Sequence, residues 1–191
     1  SLGIYSKARN MMKSPQEIYK KESYQRDSLD VLLKKIDIYE DYKKVGKEKA
    51  LIDFDDMIER AIKEVSFPPL KILIIDEAQD CTPLQWSVIY KIANNAERIY
   101  LAGDDDQAIY EWAGADVSQF QNFPGDCEVL SQSYRLPRKL VEFGNSIVKP
   151  IAERHHKEFK ARPVEGSINW IIDEEEVDLS LGTWLLLARN D

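Results

Sequence analysis

The chain predicts an α/β fold built on a parallel sheet, and three observations predict it. Residues 72–75 are a short aliphatic run between Pro68-Pro69 and Asp76-Glu77, the pattern of a strand buried on both faces. A second run, Arg98-Ile99-Tyr100-Leu101-Ala102, ends in Gly103-Asp104-Asp105-Asp106-Gln107. Between them Thr82-Pro83-Leu84-Gln85 forms a capping box opening a helix that reaches about Asn94. With a further helix ahead of the first run, the order is helix, strand, helix, strand, half of a parallel α/β sheet.

In chain order, Ser14-Pro15-Gln16-Glu17 is a capping box with proline at the first helical position, which predicts a helix from Pro15 into Lys20-Lys21. Leu29, Leu32, Leu33, Ile36 and Tyr39 repeat at helical spacing up to a stop at Gly46, so residues 1–50 read as a small helical unit. Asp53 can cap the next helix, with Asp55 and Asp56 in its first turn, where the helix dipole favours anions. Phe54, Met57, Ile58, Ala61, Ile62 and Val65 give that helix an apolar face, and Leu84, Val88, Ile89 and Ile92 do so for the helix after the first strand. Residues 116–123 predict a short helix ending at Pro124-Gly125, and residues 128–130 a strand. Leu140, Val141, Gly144, Ile147 and Val148 predict the buried face of a helix ended by Pro150. Residues 168–172 predict a strand, followed by the acidic loop Asp173-Glu174-Glu175-Glu176.

The 191 residues are 43% hydrophobic and 31% charged, enough for one good core or two small ones. Without an apolar run of about 20 residues or a signal-peptide core, the expectation is a cytoplasmic protein with no membrane partner. Cys81 and Cys127 read as reduced thiols, and the adjacent His155 and His156 as exposed helix residues. The net charge of −8 is unevenly spread: residues 51–130 carry five basic against sixteen acidic groups, while residues 1–26 and 131–163 are basic. The basic blocks are either ordinary solvated faces or contacts for a polyanion around an acidic metal-nucleotide site.

Open α/β sheets place ligands at the C-terminal edge of their strands. Asp76 and Glu77 lie at such an edge and read either as a solvated acidic turn or as a Mg²⁺-nucleotide site, with Asp76 on the metal and Glu77 deprotonating the attacking water. At the second strand's end Gly103 allows a tight turn and Gln107 offers an amide that both donates and accepts. Tyr110 and Trp112 are either core residues or a stacking platform for bases, and Tyr5, Tyr19 and Tyr24 are either ordinary buried or surface tyrosines or rings that meet the bases of a single strand.

Three strings then resemble motifs II, III and IV of the UvrD/Rep/PcrA-type superfamily 1 DNA helicases, in order and in spacing: Ile74-Ile75-Asp76-Glu77-Ala78-Gln79-Asp80; Ala102-Gly103-Asp104-Asp105-Asp106-Gln107-Ala108-Ile109-Tyr110-Glu111-Trp112-Ala113-Gly114-Ala115; and Gln132-Ser133-Tyr134-Arg135. Ile52-Asp53-Phe54-Asp55-Asp56-Met57 resembles the stretch preceding motif II, and Trp184-Leu185-Leu186-Leu187-Ala188-Arg189-Asn190 the strand that resumes the second motor domain. The resemblance implies a partial RecA-like (P-loop NTPase) sheet at residues 51–124, an inserted helical subdomain at 1–50 and the start of a second RecA-like domain at 125–191. It implies ATP and Mg²⁺ as cofactors, and single-stranded DNA and duplex junctions as partners. Asp76 would coordinate Mg²⁺, Glu77 activate water, Gln107 sense the γ-phosphate, and Arg135 stabilise the transferring phosphoryl group. Tyr110 and Trp112 would touch the single strand, and Gln79 would link the ATP and DNA sites. The implied activity is DNA unwinding, with 3′-to-5′ movement.

The sequence departs from the family at Ala113, where many relatives have Arg, and at Leu136-Pro137, where relatives often place a Ser/Thr cap but Pro137 can open the helix. No Gly-x-x-x-x-Gly-Lys-[Ser/Thr] occurs, since Gly46-Lys47 has Asp41 and Glu48 at the other key positions. The chain is therefore expected to be an internal fragment of a helicase, inactive by itself. Two other readings stay open: a non-catalytic nucleotide- or DNA-binding module that kept motifs II–IV, and a metal-dependent nuclease using Asp76, Glu77 and Asp104-Asp105-Asp106.

Overall fold

A computed structural model describes residues 2–22, 27–45, 51–172, 177–180 and 182–187. The expectations for Tyr24, Gly46-Lys47, the 173–176 acidic loop and Ala188-Arg189-Asn190 lie outside the described residues. The chain forms two compact units, Ser1–Cys127 with Glu153–His155, and Glu128–Ala152 with His156–Asp191. No helix among the described residues is long and apolar enough to cross a membrane.

The first unit holds an α/β layer. Strands β1 (Leu73–Ile75) and β2 (Ile99–Leu101) pair in parallel with Ile74 opposite Tyr100, and helix α5 (Pro83–Ala93) connects them. Alternation along each strand decides which side is buried. Ile75 and Leu101 pack against Ala78, Trp86 and Ile89, together with Cys81, Phe120 and Phe123. Trp86 is fully buried, with the rings of Tyr90 and Phe123 5.6 and 6.0 Å away. The expectation of a strand buried on both faces is corrected here. Ile74 and Tyr100 are 70% and 53% exposed because they point to the opposite face, which nothing among the described residues covers.

Four helices precede the sheet: α1 (Leu2–Asn10), α2 (Pro15–Lys21), α3 (Leu29–Lys44) and α4 (Phe54–Glu64). The capping boxes expected at Ser14 and Thr82 form, and Asp53 forms one with Asp56. Helix α1 escapes the sequence reading because it has no acidic first turn to announce it. The apolar face of α4 is largely uncovered at its start, with Phe54 84% exposed.

An ionic cluster joins α1, α3 and α4. Arg9 donates to Asp53 (3.0 Å), Asp56 (2.7 Å) and Glu59 (2.9 Å), and the Lys43 ammonium lies within 2.7–3.3 Å of Glu40, Asp53 and Asp56. Both cationic side chains are less than a tenth exposed. The Tyr39 hydroxyl donates to Asp53 and that of Tyr5 to Glu40, while Tyr19 donates to the Asp27 carbonyl. Burial alone would raise the Asp53 carboxyl. The Asp56 N–H, the Tyr39 hydroxyl and the Arg9 and Lys43 cations outweigh it and bring Asp53 down to about 2.

In the second unit, α6 (Arg138–Val148) begins after Pro137, which is the N-cap rather than the first helical residue. Its first N–H groups, on Arg138 and Lys139, donate to the carbonyls of Val164 and Glu165 (2.9 and 3.0 Å). Val141 is its buried residue, whereas Ile147, expected on the buried face, is 60% exposed. The strands expected at 128–130, 168–172 and from Trp184 do not form in the described residues. Pairing there is one parallel bridge, Gln132 with Lys160. An aliphatic run becomes a strand only beside a neighbour that takes its N–H and C=O groups, and Leu130 and Leu185 stay 83% and 80% exposed.

Candidate nucleotide site at the sheet edge

The site grows from the last residues of β1 and β2. The ladder continues past both strands, with Ala102 N–H donating to Ile75 O (2.8 Å) and Ala78 N–H to Ala102 O (3.0 Å). This registers the turn after one strand against the turn after the other. Asp76 and Glu77 emerge between those bonds, both exposed. Asp76 Oδ1 accepts the Glu77 N–H at 3.0 Å. Glu77 itself sits in the left-handed region at φ 52, ψ 40, an uncommon conformation for a residue with a β-carbon.

Gln79 ties the two turns together. Its side chain is 1% exposed, its Nε2 donates to Glu77 Oε2 at 2.8 Å, and its Oε1 accepts the Asp104 N–H at 3.1 Å. Asp104 continues the chain of bonds: Oδ1 accepts the Asp106 N–H and Oδ2 accepts Gln107 Nε2 at 2.7 Å. Glu77, Gln79, Asp104 and Gln107 thus form one hydrogen-bonded row along the strand ends. Beside it, burial and the Glu77 charge hold the Asp80 carboxyl above its ordinary range.

Gly103 is needed here for close approach, where a tight turn was expected. A β-carbon on it would lie 2.5 Å from Gln79 Oε1 and 3.1 Å from the Phe120 ring. Gly103→Ala is expected to cost about 1–3 kcal/mol in chemical denaturation through overpacking. It should also shift the Gln79 side-chain amide signals in an NMR spectrum, and unmoved signals would count against this account of the glycine.

Asp104, Asp105 and Asp106 each offer a carboxylate oxygen within 4.8 Å of the others. All three are already engaged: Asp104 by the Asp106 N–H and Gln107 Nε2, Asp106 by Arg154, and Asp105 by the His155 N–H at 2.7 Å. His155 therefore serves a loop contact; the 153–157 stretch is not helical, contrary to expectation. No cationic side chain among the described residues pairs with Asp76 or Glu77. Hard oxygen ligands on an accessible strand end suit Mg²⁺, and this pair fits such a group better than the triplet, whose carboxylates are already hydrogen-bonded within the protein.

Tyr110 caps the 3-10 turn Glu111–Ala113 and Trp112 lies within it, 45% and 71% exposed, with ring centroids 6.5 Å apart at 46°. They are surface aromatics, not core. Gly114, at φ 106 and packed on Met11, ends the turn where a side chain would be strained and crowded. Arg135 is exposed in the second unit. The structure thus gathers Asp76, Glu77, Gln79 and Gln107 into one edge of the first unit. Arg154 and His155 are contributors that no motif announced.

The sequence pattern of the UvrD/REP helicase N-terminal domain matches residues 3–128. The chain is 28% identical over 179 residues to the ATP-dependent DNA helicase PcrA of Bacillus subtilis (strain 168), covering 86% of this chain and 24% of that protein. It is 27% identical over 170 residues to the ATP-dependent DNA helicase Rep of Buchnera aphidicola subsp. Baizongia pistaciae, covering 80% of this chain and 25% of that one. It therefore spans about a quarter of the length of the curated relatives it matches. With the family pattern running through the α/β layer and both strand-end turns, the chain belongs to the UvrD/Rep family of helicases.

Proposed function

We propose that this chain is part of an ATP-dependent motor that translocates on single-stranded DNA and unwinds duplex junctions, moving 3′ to 5′. The observation that carries the reading is the row Glu77, Gln79, Asp104, Gln107 along the strand ends, next to an exposed Asp76. In this reading Asp76 holds Mg²⁺ and Glu77 takes a proton from the attacking water. When bound, Mg²⁺ neutralises phosphate charge on the nucleotide. Gln107 meets the γ-phosphate, and Gln79 passes its state toward the Tyr110–Trp112 surface through the Asp104 backbone. Arg135 supplies a planar, permanent positive charge to the phosphoryl group. Residues 51–124 are part of a first RecA-like domain with a helical subdomain at 1–50 inserted, and residues 125–191 open a second. The P-loop lies outside these 191 residues, so the isolated chain is inactive.

The test is ATP hydrolysis with and without single-stranded DNA, comparing residues 1–191 with the full-length protein. Stimulated hydrolysis confined to the longer protein is the expected result, and its absence from both would favour a non-catalytic binding module. Trp112→Ala is expected to weaken single-strand binding by about 1–3 kcal/mol, the usual worth of one base-aromatic stack. Fluorescence anisotropy with a labelled oligonucleotide reads this directly, and undiminished affinity would remove Trp112 from the interface.

A further inference from the structure

Residues Glu153–His155 belong to the first unit, although the chain on both sides of them belongs to the second. They grip one short element, the 3-10 turn Asp105–Gln107. Arg154 Nε donates to Asp106 Oδ1 at 2.6 Å and Nη2 to Oδ2 at 2.5 Å, a two-pronged fork whose side chains are 17% and 6% exposed. The His155 N–H donates to Asp105 Oδ2, its Nδ1 lies 3.3 Å from the same oxygen, and Asp105 is 2% exposed. Gln121 Nε2 donates to Asp105 Oδ2 and to the Glu153 carbonyl, closing the clamp.

The turn needs such help. A three-residue 3-10 segment has few repeating backbone bonds; here those of the 3-10 pattern are Gln107 N–H to Asp104 O at 2.9 Å and a long 3.4 Å bond from Ala108 N–H to Asp105 O. Three successive carboxylates repel one another, and two of them are nearly removed from water. A guanidinium fork compensates that charge and, being planar, fixes the carboxylate's orientation as well.

We propose that Arg154 is a positioning residue: its fork on Asp106, seconded by His155 on Asp105, sets the turn that presents Gln107 at the sheet edge. It acts through Asp106 and does not itself touch the nucleotide. The inference rests on reading Gln107 as a nucleotide-facing residue, but its first test does not need nucleotide.

Hydrogen exchange on residues 1–191 should show the amides of Asp106 to Ile109 exchanging about tenfold faster in Arg154→Met, with those of Ile75 and Ala102 unchanged. Arg154→Lys, which keeps the charge but not the fork, should recover only part of the protection. In the full-length protein, Arg154→Met should lower kcat for ATP about tenfold with KM within about twofold, the signature of an interaction that matters in the transition state. Unchanged exchange at 106–109 overturns the clamp. Faster exchange spreading into Ile75 and Ala102 makes Arg154 a general stability contact and overturns the positioning role, as does faster exchange with normal kcat. If the unaltered full-length protein hydrolyses no ATP, the helicase reading fails, while the exchange data still decide the clamp.

Discussion

Replacing Arg9 by Met is expected to destabilise the first unit by about 3–5 kcal/mol, the usual cost of removing one partner from a buried ion pair. Arg9 bridges Asp53, Asp56 and Glu59 with a side chain 9% exposed, so its loss leaves Lys43 to balance these acids and Glu40. The methionine fills much of the same space, and the charge term therefore dominates the loss. A global stability of 5–15 kcal/mol makes this a large fraction of the total. Urea denaturation followed by tryptophan fluorescence measures it, and a loss below about 1 kcal/mol would place the cluster among ordinary surface pairs. Arg9→Lys, which keeps a charge but only one of the three contacts, should fall between. Because the folded Asp53 carboxyl lies at about 2, below its ordinary 3.8, its contribution is complete above about 4 and fades as pH falls toward 2. That acid-side slope should flatten in Arg9→Met.

Glu77→Gln is expected to lower the single-strand-stimulated kcat of the full-length protein by about 10²–10⁴-fold, the usual contribution of a general base. The substitution preserves size, and its amide oxygen can still accept from Gln79 Nε2, so the row along the strand ends persists. Nucleotide and DNA affinities should remain within about threefold, because the change removes a proton acceptor and leaves the binding groups in place. A kcat reduced less than tenfold would move the proton-accepting role away from Glu77.

The parts of this molecule legible in the sequence are those written locally. The capping boxes at Ser14 and Thr82 and the cap at Asp53 link residues three positions apart, and all form as read. Strands β1 and β2, bounded by turn residues and acids, are found where expected and in parallel. Aliphatic content alone misleads: residues 72–75 looked buried on both sides, but period-two alternation gives Ile74 to a face the described chain leaves open. Among the described residues of the second unit the aliphatic runs lack paired neighbours and are not strands. The candidate edge was readable because motif residues sit next to strand ends. The clamp was not, because Arg154 meets Asp106 across 48 positions and no periodicity records such a contact.

The discontinuity of the first unit bears on the order in which it can be made. Chain synthesis delivers Asp105 and Asp106 well before Arg154 and His155, which are 48 and 50 positions downstream of the carboxylates they meet. At about 5–20 residues per second, roughly 2–10 s separate the appearance of the turn from that of its clamp. Helices α1 to α5 and the β1–β2 pair can assemble on the ribosome in that interval. The Gln107 turn has to wait, and the last part of the sheet edge to take shape is the one proposed to read the nucleotide.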